Sequence, residues 1–316
     1  MKKVLPFLLI LFFVSCLQAQ EVKIPGYYRY DKDLSAELQK IVAALELDKD
    51  FNVGEDGIEQ ISFAVIDLNA GKPLIGGVNM DNFIYPASVY KMYVAAQVLA
   101  QVSDGRQSLF APYVAKNPNV VDRSREIKTD PRPLLKDGDT VNINYLLDLM
   151  ITRSDNSAAN CLIDVAGRKN INEMMHSYGW YGSEVTRKYL KRKFEDPGYD
   201  TVRGTMTSAL HAADFMYQVF TDHMINPWVS MQLKSFFGRQ LDKSKIASGL
   251  PLNAMYYDKT GWFSYWTNDV GIVDDGKIRY IIACFMPLEE GLARPKMKEI
   301  SSRVYRLISE RYKKEL

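Results

Sequence analysis

Strand-forming segments lie towards both ends of this 316-residue chain, and a long helical block separates them. Towards the N-terminus, "ISFAVIDLNAGKPLIGG" places two apolar runs around a turn with Asn69 and Gly71, the pattern of a hairpin. Towards the C-terminus, "SYWTNDVGIVDDGKIRYIIACFM" repeats it around Asp274-Asp275-Gly276-Lys277. The economical architecture is one antiparallel sheet built from both ends, with the helical block inserted between its halves. Terminal helices, Leu34 to Leu47 and the closing "ARPKMKEISSRVYRLISERYKKEL", are expected to flank the sheet. The expected class is therefore α/β in the α+β sense: an antiparallel sheet flanked by terminal helices plus an inserted all-helical domain. Residues 21–86 and 236–316 would form the α/β part and 87–235 the helical domain. Apolar spacing predicts helices over Ala87–Val102, Ile143–Thr152, Ser157–Ala166, Ile171–Tyr178 and Ser208–Thr221. A site where the two parts meet would draw residues from both.

Composition narrows the function classes. Hydrophobic content of 47% and charged content of 25% are ordinary for a globular chain, and a net charge of +2 gives nucleic acid no basic surface to bind. The "RKYLKRK" cluster (Arg187 to Lys193) reads as a solvated patch. "MKK" followed by "VLPFLLILFFV" is a positive, then apolar leader, so residues 1–20 are expected to be a signal peptide cleaved by Ala19 or Gln20. Export to the periplasm or outside the cell follows. "FVSC" leaves a lipid anchor at Cys16 open, although Phe13 is a poor match for a lipoprotein box. No later stretch is long and apolar enough to span a bilayer. Cys161 and Cys284 both sit in apolar patterns and read as separate buried thiols. His176, His211 and His223 are far apart in sequence, so neither a metal site nor any other cofactor is expected. A monomer is the default expectation.

Three short motifs carry chemistry. In "FIYPASVYKMYVAAQVLA", Ser88 and Lys91 stand three residues apart on a predicted helix, where their side chains share a face. One reading is a buried helix with a small polar residue and a snorkelling lysine. The other is a nucleophile with its base, since a serine hydroxyl attacks only when a neighbour takes its proton. A helix opening near Pro86-Ala87 would put Ser88 in a first turn, where the dipole favours developing negative charge. In "TRSDNSAAN", Ser154-Asp155-Asn156 precedes a helix, and capping that helix is its plain structural role. In "YYDKTGWFSYW", Lys259-Thr260-Gly261 opens a strand, and Gly261 would permit close approach of a substrate backbone. The tryptophans and tyrosines of "GWYGSE" and "WFSYW" read as core before cleft, and Arg153 and Arg203 as surface residues.

Taken together and in this order, S-x-x-K, S-D-N and K-T-G are the signature of penicillin-recognising serine enzymes. With "SDNSAANCLIDVAG", "GSEVTRKY" and "KTGWFSYWTNDVGIV", the chain resembles a class A β-lactamase over nearly its whole mature length. The resemblance implies a helical domain set into an α/β domain and a small-molecule β-lactam or cell-wall peptide as substrate. It also implies roles. Ser88 would form the acyl-enzyme, with Lys91 assisting its deprotonation. Ser154 would relay a proton to the leaving nitrogen, and Asn156 would bind the acyl side-chain amide. Lys259 and Thr260 would receive the substrate carboxylate, Lys259 also lowering the pKa of Lys91. The oxyanion donors would be the backbone N–H groups of Ser88 and, two residues past the glycine, Phe263.

The departure lies near residues 185–205. Class A enzymes carry Glu-x-x-Leu-Asn there to activate the deacylating water. Ungapped counting from either flank lands on Arg192 or Lys191, both basic, and Glu195 and Asp196 follow shortly after. Three readings stay open: Glu195 replaces the missing base and the protein hydrolyses; deacylation is slow and the protein is a penicillin-binding or D-Ala-D-Ala peptidase-like relative; or the chain is a non-catalytic binding module.

Overall fold

The computed structural model describes residues 23–125, 127–191, 194 and 202–313. The leader with Cys16, and also Arg192, Glu195 and Asp196, lie outside the described residues. Strand Arg29–Tyr30 (β1) precedes helix Lys32–Ala44 (α1), and then come Phe51–Asn52 (β2), Ile58–Glu59 (β3), Ser62–Asp67 (β4) and Leu74–Val78 (β5). Helices Lys91–Ser103 (α2), Ile143–Thr152 (α3), Asn156–Ala166 (α4), Arg168–Ser177 (α5), Ala209–Phe220 (α6) and Pro227–Phe237 (α7) fill the middle of the chain. Between α2 and α3 run Pro112–Val114 (β6) and Thr140–Asn142 (β7). The chain closes with Met255–Phe263 (β8), Trp266–Asp274 (β9), Arg279–Met286 (β10) and Glu290–Tyr312 (α8).

Six strands form the main sheet in the order β1-β5-β4-β10-β9-β8. Both expected hairpins are present, β4 with β5 and β9 with β10, and β10 joins the two halves by pairing with β4. The sheet is antiparallel except at one edge, where β1 runs parallel to β5. The small pairs β2–β3 and β6–β7 were not anticipated, because two or three residues are too few to show a period. K-T-G does not open its strand. It lies in the second half of β8, which begins at Met255.

Side chains alternate across the sheet and divide its burial between two cores. On β10, Tyr280, Ile282, Cys284 and Met286 face α1 and α8, whereas Ile281, Ala283 and Phe285 face the helical block. Strand β4 is buried at every position, as a strand covered on both faces must be. Helix α2 is buried from Lys91 to Gln101, which explains its apolar run better than an amphipathic stripe would. Cys161 and Cys284 are separate buried thiols. Among the described residues no helix is long and apolar enough to cross a membrane.

Candidate active site

Ser88 sits in a single 3₁₀ turn, Ala87–Tyr90, that leads into α2. Ala87, directly before it, holds a left-handed φ of 46°, a conformation that costs free energy for a residue with a Cβ and recurs at functional sites. Lys91 begins α2 and has no solvent exposure. A buried ammonium requires acceptors. Lys91 Nζ donates to the Ser154 carbonyl at 2.6 Å, to Ser154 Oγ at 3.2 Å and to Asn156 Oδ1 at 2.8 Å.

Ser154 stands between α3 and α4 with φ 62°. The helix cap falls to its neighbour: Asp155 accepts from the Ala158 N–H at 2.7 Å. Ser154 Oγ is thereby left to face two lysines, since Lys259 Nζ also donates to it, at 3.1 Å. Lys259 comes from β8, is fully buried, and donates in addition to the Thr260 carbonyl at 2.6 Å. One hydroxyl thus bridges two lysines, one delivered by the helical block and one by the sheet.

Gly261 brings β8 against the Ser88 turn. A Cβ there would lie 2.6 Å from Ser88 N, 2.8 Å from the Pro86 carbonyl oxygen and 2.9 Å from Val89 N. The close approach expected at this glycine is made by the chain itself, to the turn that carries Ser88. Phe263 requires a correction. It pairs with Trp266 across the two-residue turn Ser264–Tyr265, and Ser264 has the positive φ of a type II′ turn. Such a turn closes on a pair that exchanges backbone hydrogen bonds, which directs the Phe263 N–H at β9. Alternation along β8 turns the N–H of Trp262 the opposite way, to the strand's outer edge. The Phe263 side chain is half-exposed and meets the Tyr85 ring edge-on at 6.1 Å.

Several residues that sequence reasoning missed hold this arrangement. Asp122 accepts from the Asn156 N–H at 2.7 Å, from Asn156 Nδ2 at 3.0 Å and from the Ser157 N–H at 3.0 Å. Arg153, expected at the surface, is 4% exposed. It ties Asp155 at 2.7 Å to the carbonyls of Arg132 and Pro133, each at 2.8 Å. Arg203 is exposed as expected and pairs with Glu184 at 3.2 Å. Tyr189 Oη lies 3.2 Å from Ser88 Oγ, and the Tyr189 ring centroid is 4.9 Å from Lys91 Nζ. Burial, with Tyr85 and Tyr90 beside it, pushes this phenol well above its usual range, so it stays neutral.

Of these groups, Asp122, Asn156, Tyr189 and Phe263 border a cleft of about 790 Å³. Tyr85, Trp266 and Phe263 form one wall, Arg187 to Leu190 another, and Asp56 and Glu59 of the β2–β3 hairpin the rim. Trp180 is core, whereas Trp262, Phe263 and Tyr265 are exposed. A second hollow of about 590 Å³ lies beside the C-terminal half of α8, and none of the three motifs borders it.

Residues 37–308 match the model of the beta-lactamase enzyme family. The chain belongs to that family. Among curated relatives, Beta-lactamase 1 of Streptomyces cacaoi is 25% identical over 209 residues, 61% of this chain and 61% of its own length. The solved structure of PBP-A superposes with a TM-score of 0.73 at 20% identity, over 91% of this chain and all (100%) of that one. A β-lactamase from Sphaerobacter thermophilus superposes at 0.72 and 19% identity, over 87% and 98% of the two chains. A PBP-A variant with a TM-score of 0.72 has been solved as an acyl-enzyme complex with penicillin G. The fold of this family member is therefore shared by β-lactamases and by PBP-A.

Proposed function

We propose that this family member is an exported serine hydrolase that opens β-lactam amides through an acyl-enzyme on Ser88. The observation that carries the reading is Ser154 Oγ bridging Lys91 and Lys259 beside the Ser88 turn. Lys91, in the neutral form that has first given one proton up to solvent, receives the Ser88 hydroxyl proton as Oγ attacks the amide carbonyl. The backbone N–H groups of Ser88 and, at the edge of β8, of Trp262 take the developing oxyanion, each worth about 3 kcal/mol. The proton passes through Ser154 to the leaving nitrogen. Lys259 and Thr260 receive the substrate carboxylate, and Asn156, held by Asp122, meets the acyl side chain. Glu195 is proposed as the base that activates the deacylating water. A second reading, a slow-deacylating peptidase-like protein, is favoured by Tyr189, whose hydroxyl stands against Ser88 Oγ.

Intact-mass spectrometry with a chromogenic cephalosporin tests this. The native protein should gain the acyl mass and Ser88→Ala should not; a native protein that never gains it removes the acylation assignment. Turnover lost in Glu195→Gln with a persisting adduct supports Glu195 as the base, and unchanged turnover rejects it. The same spectra read the mature N-terminus, which separates cleavage by Ala19 or Gln20 from a lipidated Cys16 or an uncleaved leader.

A further inference from the structure

Tyr189 touches both partners of the proposed acylation step without belonging to any of the three motifs. Its hydroxyl is within hydrogen-bond distance of Ser88 Oγ, at 3.2 Å. Its ring covers Lys91 Nζ at 4.9 Å and stacks on Tyr90 at 5.8 Å, an interplanar angle of 24°. Its backbone is pinned to α4 from both sides: the Tyr189 N–H donates to Asn160 Oδ1 at 2.7 Å, and Asn160 Nδ2 donates to the Tyr189 carbonyl at 3.2 Å. These bonds fix the Tyr189 backbone, and the stack on Tyr90 packs its ring.

Deacylation needs a water at the ester carbon. The water oxygen bonds to that carbon, the bond from carbon to Ser88 Oγ breaks, one water proton ends on Ser88 Oγ, and the acyl group leaves as a carboxylic acid. Besides the proposed base Glu195, Lys91, having passed the Ser88 proton on through Ser154, is a second base for any water arriving from the side of residues 187–191. That place is filled by the Tyr189 ring and hydroxyl.

We infer that Tyr189 is a positioning residue that orients Ser88 for acylation and shields Lys91 and the ester from water, so that it sets the lifetime of the acyl-enzyme. The inference rests on the Ser88 acylation reading. The consequence is asymmetric: acylation is helped and deacylation slowed by one side chain.

The test is the rate of gain and the rate of loss of the acyl mass, with the same cephalosporin, in native protein, Tyr189→Phe and Tyr189→Ala. Tyr189→Ala opens a path to Lys91 and should shorten the adduct lifetime at least ten-fold. Tyr189→Phe keeps the ring over Lys91. It should keep a long-lived adduct and acylate about five-fold more slowly, the worth of one neutral hydrogen bond. Equal lifetimes in all three proteins, with native acylation intact, overturn the inference alone. If Tyr189→Ala fails to fold, Tyr189→Phe decides: slower acylation supports the inference and an unchanged rate overturns it. Absence of an adduct from the native protein overturns the Ser88 reading and this inference with it.

Discussion

A single methyl group added at Gly261 would collide with three backbone atoms around Ser88, the nearest at 2.6 Å. Backbone cannot rotate away as a side-chain tip can, so β8 and the Ser88 turn would have to separate. Gly261→Ala is therefore expected to retain the fold, since β8 is an edge strand, and to acylate at least 100-fold more slowly through loss of oxyanion alignment. Acylation kinetics with circular dichroism on the same sample check this; a rate within five-fold of native rejects it. At this scale the sequence was legible where a residue type and a short spacing carry the chemistry. Ser88, Lys91, Ser154 and Lys259 stand out that way as candidates, and the last three meet at one hydroxyl. Tyr189 and Asp122 do not stand out, because a lone tyrosine or aspartate on a loop carries no spacing signal. Only the paths of the loops around 121 and 189 bring them to Ser88 and Asn156.

Helix α6 shows what an element decides. Ser208 caps it, and its first turn carries His211, whose Nδ1 is 2.8 Å from Ser183 Oγ and whose ring meets Phe83 edge-on at 5.5 Å. Burial lowers the His211 pKa to about 4. An unfolded histidine titrates near 6.5, so between pH 6.5 and 4 the unfolded chain binds a proton that the folded chain refuses. Stability is then full above pH 6.5 and falls as the pH drops, by about 3 kcal/mol at pH 4. Urea unfolding at pH 7 and pH 4.5 should show this loss, and His211→Gln should flatten the difference by most of it. A slope identical in the variant would rule His211 out. The β8–β9 hairpin teaches the complementary lesson. Its apolar pattern announces strands, but which amide faces the site depends on where the turn closes, and Ser264-Tyr265 lacks the glycine that marks such a turn in a sequence.

At the scale of the molecule, one buried aspartate fastens distant parts together. Asp214 on α6 accepts from Tyr27 Oη at 2.7 Å, Tyr28 Oη at 2.6 Å and Trp180 Nε1 at 2.7 Å. The segment before β1, the loop after α5 and the helix beneath the sheet thus share one carboxylate. Burial pushes its pKa up even against these donors. Asp214→Ala would strand two buried donors, Tyr28 Oη and Trp180 Nε1, and is expected to cost about 2–5 kcal/mol in urea unfolding, with a single cooperative transition retained. A loss below about 1 kcal/mol would mean the donors find other partners.

The sequence by itself determined that strands from both ends build one sheet around a helical insertion, because alternation and turn residues are local signals. It also picked out the three motifs, because each needs only neighbours along one turn or strand. Tertiary structure alone decided that one serine hydroxyl bridges two lysines 105 residues and 63 residues away in the chain, that β8 abuts the Ser88 turn, and that Tyr189 stands against Ser88 and Lys91. Those contacts join elements whose separation in the chain leaves no periodic trace. They arise only when both faces of the sheet are covered and the helical block is pressed against its edge.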